Sequence, residues 1–383
     1  MSLMNKKTIV VAMSGGVDSA VTAALLKKLG HNIIGVTMKL WNGPETPVAD
    51  AHHGCYGPGE AQDIEDAREV ADKLGIPFHV FDLSEEYKSD VLDYFSLEYL
   101  SGRTPNPCIR CNRNLKFGTL FRRVEQSGIE FDGMATGHYA RLEYNTVENR
   151  HLLKKAVDLN KDQSYFLAML TQEQLAIATF PLGDLYKSGV RKLAEDFGLP
   201  VADKTESQDF VAGDYSSILP EGSPGPILDR DGNVLGEHTS IAGYTIGQRR
   251  GLGISSKYPM FVVDIAAERN AVIVGPREDL YQDELTASGL NWIAIETLTE
   301  PIEVAARVRY RHKEAESIVF PLNNGQVRVK FKEPQLAITP GQTIVFYQGD
   351  NVIGAGTIDS PHVIARNGET KQSGSSKSSV KNK

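Results

Sequence analysis

The stretch from Ile9 to Ser19 (IVVAMSGGVDS) constrains this chain more than any other part of it. Ile9, Val10 and Val11 read as a buried strand that breaks into Ser14-Gly15-Gly16-Val17-Asp18-Ser19. Val21, Leu25, Leu26 and Leu29 follow at helical spacing, with Gly30 as the stop. Adjacent glycines allow a sharp turn that presents backbone N–H groups to an anion, and the helix adds its unpaired N–H groups and dipole. The expected product is a phosphate cradle. No Gly-Lys-Ser/Thr follows, so it is not of the Walker type. Amides, the hydroxyls of Ser14 and Ser19, and a metal placed by Asp18 would then hold a pyrophosphate. The competing reading is a glycine-rich turn that binds nothing.

SGGVDS after a strand resembles the pyrophosphate loop of N-type ATP pyrophosphatases. The resemblance implies cleavage of ATP between its α- and β-phosphates to adenylate a second substrate, with Mg2+. It does not say which substrate.

At 383 residues the chain is long enough for two or three domains. With 41% hydrophobic and 23% charged residues, no apolar run long enough to span a membrane and no signal-peptide core, it reads as a soluble cytoplasmic protein. Three cysteines do not make a disulfide framework and fit a reducing compartment. The net charge of −8 does not exclude a nucleic acid, because phosphates are recognised by local patches.

Strands and helices alternate after the first helix: Asn32–Leu40 as strand, Glu60–Leu74 as helix, Pro77–Leu83 as strand, Glu85–Leu100 as helix. This pattern predicts an α/β fold with a doubly wound, mostly parallel sheet over residues 4–212, and places Met38 at the ligand-binding end of its strand. Residues 213–285 turn Gly-, Pro- and Asp-rich, with short strands, and read as a small β-rich domain. Residues 286–366 read as a β-barrel. Within it Asn323-Asn324-Gly325 marks a hairpin whose second strand alternates Val327, Val329, Phe331 with Arg328, Lys330, Lys332. Residues 367–383, rich in Ser and Lys, read as disordered.

Cys108 and Cys111 lie one helical turn apart in Gly102–Lys116 (GRTPNPCIRCNRNLK), where a helix N-terminus is expected to favour thiolate. Taken alone, a CxxC is compatible with a redox pair, metal ligands or buried structural thiols. Together with SGGVDS, however, this string resembles the tRNA-specific 2-thiouridylase family. So do Thr136-Gly137-His138-Tyr139, Lys161-Asp162-Gln163-Ser164-Tyr165-Phe166-Leu167 and Tyr244-Thr245-Ile246-Gly247-Gln248-Arg249-Arg250-Gly251.

The resemblance implies adenylation of the C2 oxygen of a wobble uridine, attack of sulfur at C2, and departure of AMP. It implies tRNA and a sulfur donor as partners, the donor being a cysteine desulfurase or relay protein, or free sulfide. ATP contacts carry over to Ala12, Met13, Ser14, Gly15, Gly16, Val17, Asp18, Ser19, Met38 and Gly137. The nucleophile position falls on Cys111. The target base falls on Asn106, Pro107 and Cys108, and tRNA contacts on His138, Lys161, Asp162, Gln163, Arg309, Tyr310 and Gln342. Taken alone, Lys161 to Gln163 would be a solvated turn. Arg307, Arg309, Arg311, His312 and Lys313 would be an exposed basic strand face.

Two positions depart from the family pattern. Cys108 stands where better-known members carry an acid, and Val211 stands where they carry a second, persulfide-bearing cysteine. Valine holds no persulfide. Cys55, Cys108 and Cys111 remain, and three thiolates could hold a [4Fe–4S] cluster with one open iron. A Cys108/Cys111 thiol relay is the alternative, and zinc with His52 and His53 a lesser one. Two other functions stay open: adenylation of a small molecule, or tRNA binding without catalysis.

Overall fold

The computed structural model describes residues 6–43, 54–205, 209–211, 218–219 and 221–361. His52, His53, Ser207, Gln208, Ala212 and the 367–383 tail lie outside the described residues.

Five parallel strands form the first sheet, in the order Phe78–Asp82, Asn32–Lys39, Thr8–Ala12, Gly133–Thr136, Ala178–Thr179. The chain starts at the central strand, works outward to one edge, then crosses to the other side. The order therefore reverses between Thr8–Ala12 and Gly133–Thr136, and an open α/β sheet binds ligands at the carboxyl ends of strands at such a point. Side chains alternate as the strand period demands. Val10, Val36 and Met134 pack on one face with Leu115, Leu120 and Leu175. Val11, Ile33 and Ala135 pack on the other with Ala20, Ala24, Ala67 and Val70.

The first helix, Val17–Lys28, starts at the glycine loop, and the second, Glu60–Leu74, stops at Gly75 in the left-handed region (φ 58°). The helix expected over 85–100 is continuous, but its middle, Lys88–Asp93, is π-helical. The helix that follows the cysteine loop is also mixed: Pro107–Arg110 is α, Cys111–Leu120 is π and Phe121–Gln126 is α again. Pattern reading finds a helix here but not its winding, because an i→i+5 turn leaves no distinct apolar period over ten residues. Between the second strand and the second helix, Gly54–Tyr56 forms a short strand that pairs in parallel with Asp209–Val211.

A four-stranded sheet follows in the order Val234–His238, Gly225–Leu228, Ala271–Gly275, Phe261–Ala266. The C-terminal strands then close a six-stranded barrel: Tyr281–Trp292, Val327–Leu336, Ala315–Pro321, Ile302–Arg307, Thr343–Gln348, Asn351–Pro361 and back to Tyr281–Trp292. Val327, Val329 and Phe331 point into it as the alternation requires. Arg150–Lys155, within the 4–212 span, forms a strand that does not join the first sheet. Its hairpin with Ala140–Asn145 extends the barrel sheet through Asn351.

Candidate active site

A cavity of about 330 Å3 lies at the point where the strand order reverses. Its floor is the glycine loop. Gly15 carries φ +70°, and a Cβ there would lie 2.2 Å from the Asp63 carbonyl oxygen. Gly137 abuts the start of the first helix, where a Cβ would come within 2.8 Å of the Ser19 nitrogen. Gly16 is different: its backbone is extended (φ −98°) and a Cβ would meet nothing closer than the Ser14 hydroxyl at 3.6 Å. The turn therefore rests on one glycine, not on an adjacent pair. Ser19 Oγ accepts from Ser14 N (3.1 Å) and donates to Gly16 O (3.0 Å), which folds the loop on itself.

Asp18 is already engaged. Lys187 Nζ donates to both its carboxylate oxygens at 2.8 Å, and Tyr139 Oη donates to one of them at 2.8 Å. Lys187 comes from the start of a distant helix, Lys187–Asp196, and is buried. The loop lacks a lysine in sequence and receives one in space. No local motif announces it. Lys204, bound to Asp63 (2.6 Å) and Asp66, and Lys116 also line the cavity.

Glu60 closes the side near Met38. Its carboxylate accepts from Leu40 N (2.7 Å) and Trp41 N (2.8 Å), tying the second helix to the end of the Asn32–Lys39 strand. Burial pushes its pKa up to about 7 against the opposite pull of those two N–H groups.

The thiol end faces the loop across the cavity. Cys55 and Cys111 both line it, as do His138 and Gln163. Cys108 instead packs with Phe95, Tyr99, Phe210 and Val211. All three thiols lie near the buried Tyr87 phenol, each helping to hold its ionisation up, although its burial is the larger cause. The expectation that the helix N-terminus favours thiolate is reversed at Cys111. Burial pushes this thiol up to about 11, and Lys116 only partly offsets it. The π winding explains why Lys116 is there. Five residues of α-helix turn about 500°, leaving the two side chains on different faces, whereas i→i+5 winding brings them toward one face.

Val211 is buried on the strand beside Gly54–Tyr56, paired with Tyr56. The strand that brings Cys55 thus runs alongside the position where the family resemblance leads us to expect a second cysteine. Thiols are the donor type that iron–sulfur clusters use, but Cys108 packs away from the cavity that Cys55 and Cys111 line, and among the described residues no group of three His, Cys, Asp or Glu side chains could hold a metal ion.

Of the positions expected to meet the base and the tRNA, His138 and Gln163 line the cavity, and Asn106, Pro107, Cys108, Lys161, Asp162, Arg309, Tyr310 and Gln342 do not. Asn106 caps the Pro107–Arg110 turn, its Oδ1 accepting from Ile109 N (3.3 Å). Gln342 Nε2 donates to Thr104 O (2.8 Å) and Pro105 O (3.1 Å), pressing a barrel loop onto the cysteine loop. Arg309 donates to Ile246 O (3.0 Å) and to Thr339 Oγ1, and Tyr310 packs on Phe166 at 4.4 Å. Asp162 is buried and accepts from Ala156 N and from Ser164 N and Oγ. Gln163 Oε1 accepts from Tyr139 N (2.9 Å). Lys161 is half-buried beside them. In His138, Nδ1 pairs with Thr136 Oγ1 (2.7 Å); burial, helped by Lys116, holds its pKa well below the usual imidazole range.

Known proteins match this arrangement along its length. Residues 7–212 match the family model described as the tRNA methyl transferase HUP domain, residues 215–276 its PRC-barrel domain, and residues 282–358 an aminomethyltransferase beta-barrel domain. The tRNA-specific 2-thiouridylase of Caldanaerobacter subterraneus subsp. tengcongensis is 50% identical over 359 residues, 92% of this chain and 97% of that protein. The chain belongs to the tRNA-specific 2-thiouridylase family. Two further members, from Desulforamulus reducens and Endomicrobium trichonymphae, are 49% and 47% identical over 92% and 91% of this chain, and over 97% and 98% of their own lengths. Among the described residues, no helix is long and apolar enough to cross a membrane.

Proposed function

We propose that this chain is an ATP-dependent, cytoplasmic tRNA-uridine 2-sulfurtransferase. One observation carries the reading: a single cavity joins an amide-lined phosphate loop to two thiols, Cys55 and Cys111. Methyl transfer, the chemistry in the family model's description, has no use for a pyrophosphate loop. A sulfur-for-oxygen exchange does, because the carbonyl oxygen must first be made a leaving group. The 4–212 unit adenylates, and the 213–285 and 286–366 units help to seat the RNA.

In this reading the amides of Ser14 to Ser19 hold the phosphates, and Lys187 supplies the cation that the loop's own sequence omits. Asp18 would be the carboxylate to hold the Mg2+ that comes with ATP, and Lys187, bound to that carboxylate here, would be the cation nearest the phosphates. The C2 oxygen of the uridine bonds to the α-phosphorus and pyrophosphate leaves. Sulfide then adds at C2, the C–O bond breaks, and AMP departs with the oxygen. Cys111 faces the base from the thiol end, and neutral His138 lies beside Lys116 without adding charge. Were a [4Fe–4S] group bound here, Cys55, Cys108 and Cys111 are the thiols that would hold it, and the chemistry it would supply is that of bound sulfide.

The test is to incubate the anaerobically purified protein with ATP, Mg2+, sulfide and tRNA carrying a wobble uridine. We expect AMP, pyrophosphate and 2-thiouridine in equal amounts, read by nucleoside mass spectrometry. Pyrophosphate released equally without RNA would move the reading to a small-molecule adenylating enzyme. Binding of tRNA with no turnover would make the chain a binding protein.

A further inference from the structure

The segment that joins the Ile241–Gly243 turn to the strand Phe261–Ala266 has no role in the chemistry above. From Thr239 to Val263 it contains no Asp or Glu, in a chain whose net charge is −8. Arg249, Arg250 and Lys257 are exposed, and no ion pair holds any of them among the described residues. Tyr258 beside them is 76% exposed, an unusual position for a large ring.

The segment is nevertheless anchored. Leu252 and Ile254 pack into the core of the middle domain with Ile227, Val262 and Val272. Gly251 and Gly253 on either side of Leu252 take φ +75° and +65°, a backbone that drops Leu252 inward while its neighbours face out. Arg249, Leu252, Ile254, Ser256, Tyr258 and Met260 surround an open hollow of about 280 Å3. Its root touches the base-handling loop directly. Thr104 Oγ1 donates to Thr245 Oγ1 (3.4 Å), and Arg309 donates to Ile246 O. Cations at the rim, an aromatic ring and an apolar floor, on a segment whose start at Thr245 meets Thr104, form a pattern with a chemical meaning. Phosphates take the cations, and an unstacked base takes the ring.

We propose that the Arg249–Tyr258 loop grips single-stranded RNA next to the target uridine. Arg249, Arg250 and Lys257 meet backbone phosphates, and Tyr258 stacks under a flanking base. The inference rests on the RNA reading above and adds a contact surface to it. An acidic protein partner could use the cations, but it would leave the exposed ring and hollow unexplained.

The experiment measures binding of tRNA with a wobble uridine across a salt series, for wild type, the double variant Arg249→Ala/Arg250→Ala, Tyr258→Ala and Tyr258→Phe. Loss of two phosphate contacts should flatten the log–log salt slope by about 1.5 and weaken binding roughly tenfold at moderate salt. Tyr258→Ala should weaken it about tenfold, and Tyr258→Phe less than about twofold. Thermal unfolding and ATP binding should not change in any of them, as none of these residues lines the ATP cavity. Unchanged affinity and slope in the double variant and in Tyr258→Ala would overturn the proposal alone. Unchanged RNA binding with slower sulfur delivery from a carrier protein would overturn it in favour of a protein partner. A wild type that binds no tRNA would overturn the RNA reading and this inference together, before any substitution is made.

Discussion

The two ends of the cavity are built on different principles. At the phosphate end the backbone is the functional part: Gly15 has no room for a Cβ, Gly137 rests on the helix start, and amides face the space between them. At the thiol end the side chains are the functional part. Cys55 and Cys111 come from a short strand and a part-π helix and both line the cavity, whereas Cys108 packs away from it against Phe95 and Phe210. A backbone site tolerates no side chain where its glycine is pressed against backbone, as Gly15 and Gly137 are. A side-chain site depends instead on which strands bring its groups together, and here Gly54–Tyr56, which carries Cys55, pairs with the strand of Val211.

Gly15→Ala should break the phosphate end most completely. It combines a left-handed φ with a backbone clash that no rotamer relieves, so a cost of at least about 3 kcal/mol is expected. ATP-dependent pyrophosphate release should vanish and the thermal midpoint should fall. Gly16→Ala, with open space and an extended backbone, is the control and should keep its midpoint within a few degrees. Equal effects at the two glycines would remove the claim that one glycine makes the turn.

Cys55→Ser and Cys111→Ser should act at the other end only. Thiolation should be lost in both, with ATP binding and stability close to wild type. Iron after anaerobic reconstitution should fall from about four per chain to near zero in each. Unchanged iron and thiolation in Cys55→Ser would reduce the thiol end to Cys108 and Cys111 and leave Cys55 a bystander.

The same contrast decides what could be read from the chain. Strand, glycine loop and helix lie within Ile9 to Lys28, so both the phosphate end and the parallel sheet were legible from local pattern and spacing. Lys187 was not legible, because its partner Asp18 is far away in sequence and nothing marks a lysine at a helix start. The thiolate expected at Cys111 failed for a related reason: the helix dipole is local and readable, whereas burial by distant chain is not. Arg309 and Gln342 came with the family resemblance as RNA contacts. In the fold their donors reach backbone carbonyls at Ile246, Thr104 and Pro105, so they also fasten the barrel and middle domain to the cysteine loop.

Glu60 gives the finest comparison, because at this one residue backbone and side-chain principles oppose each other. Two N–H groups favour its carboxylate, and burial at 7% exposure favours the neutral acid. With its folded pKa raised from 4.5 to about 7, the folded state holds the proton more tightly than the unfolded chain. Its contribution to stability is then complete below the unfolded value and lost as pH rises toward 7, by about 3 kcal/mol in all. Glu60→Gln does not titrate, and its amide can accept from only one of the two N–H groups, which costs about 1–3 kcal/mol. Chemical denaturation should therefore find wild type the more stable protein at pH 5, with the gap shrinking or reversing by pH 8. A gap that widens with pH would mean that the two N–H groups outweigh burial, and that Glu60 is an anion braced by backbone amides, as the phosphates are proposed to be at the glycine loop.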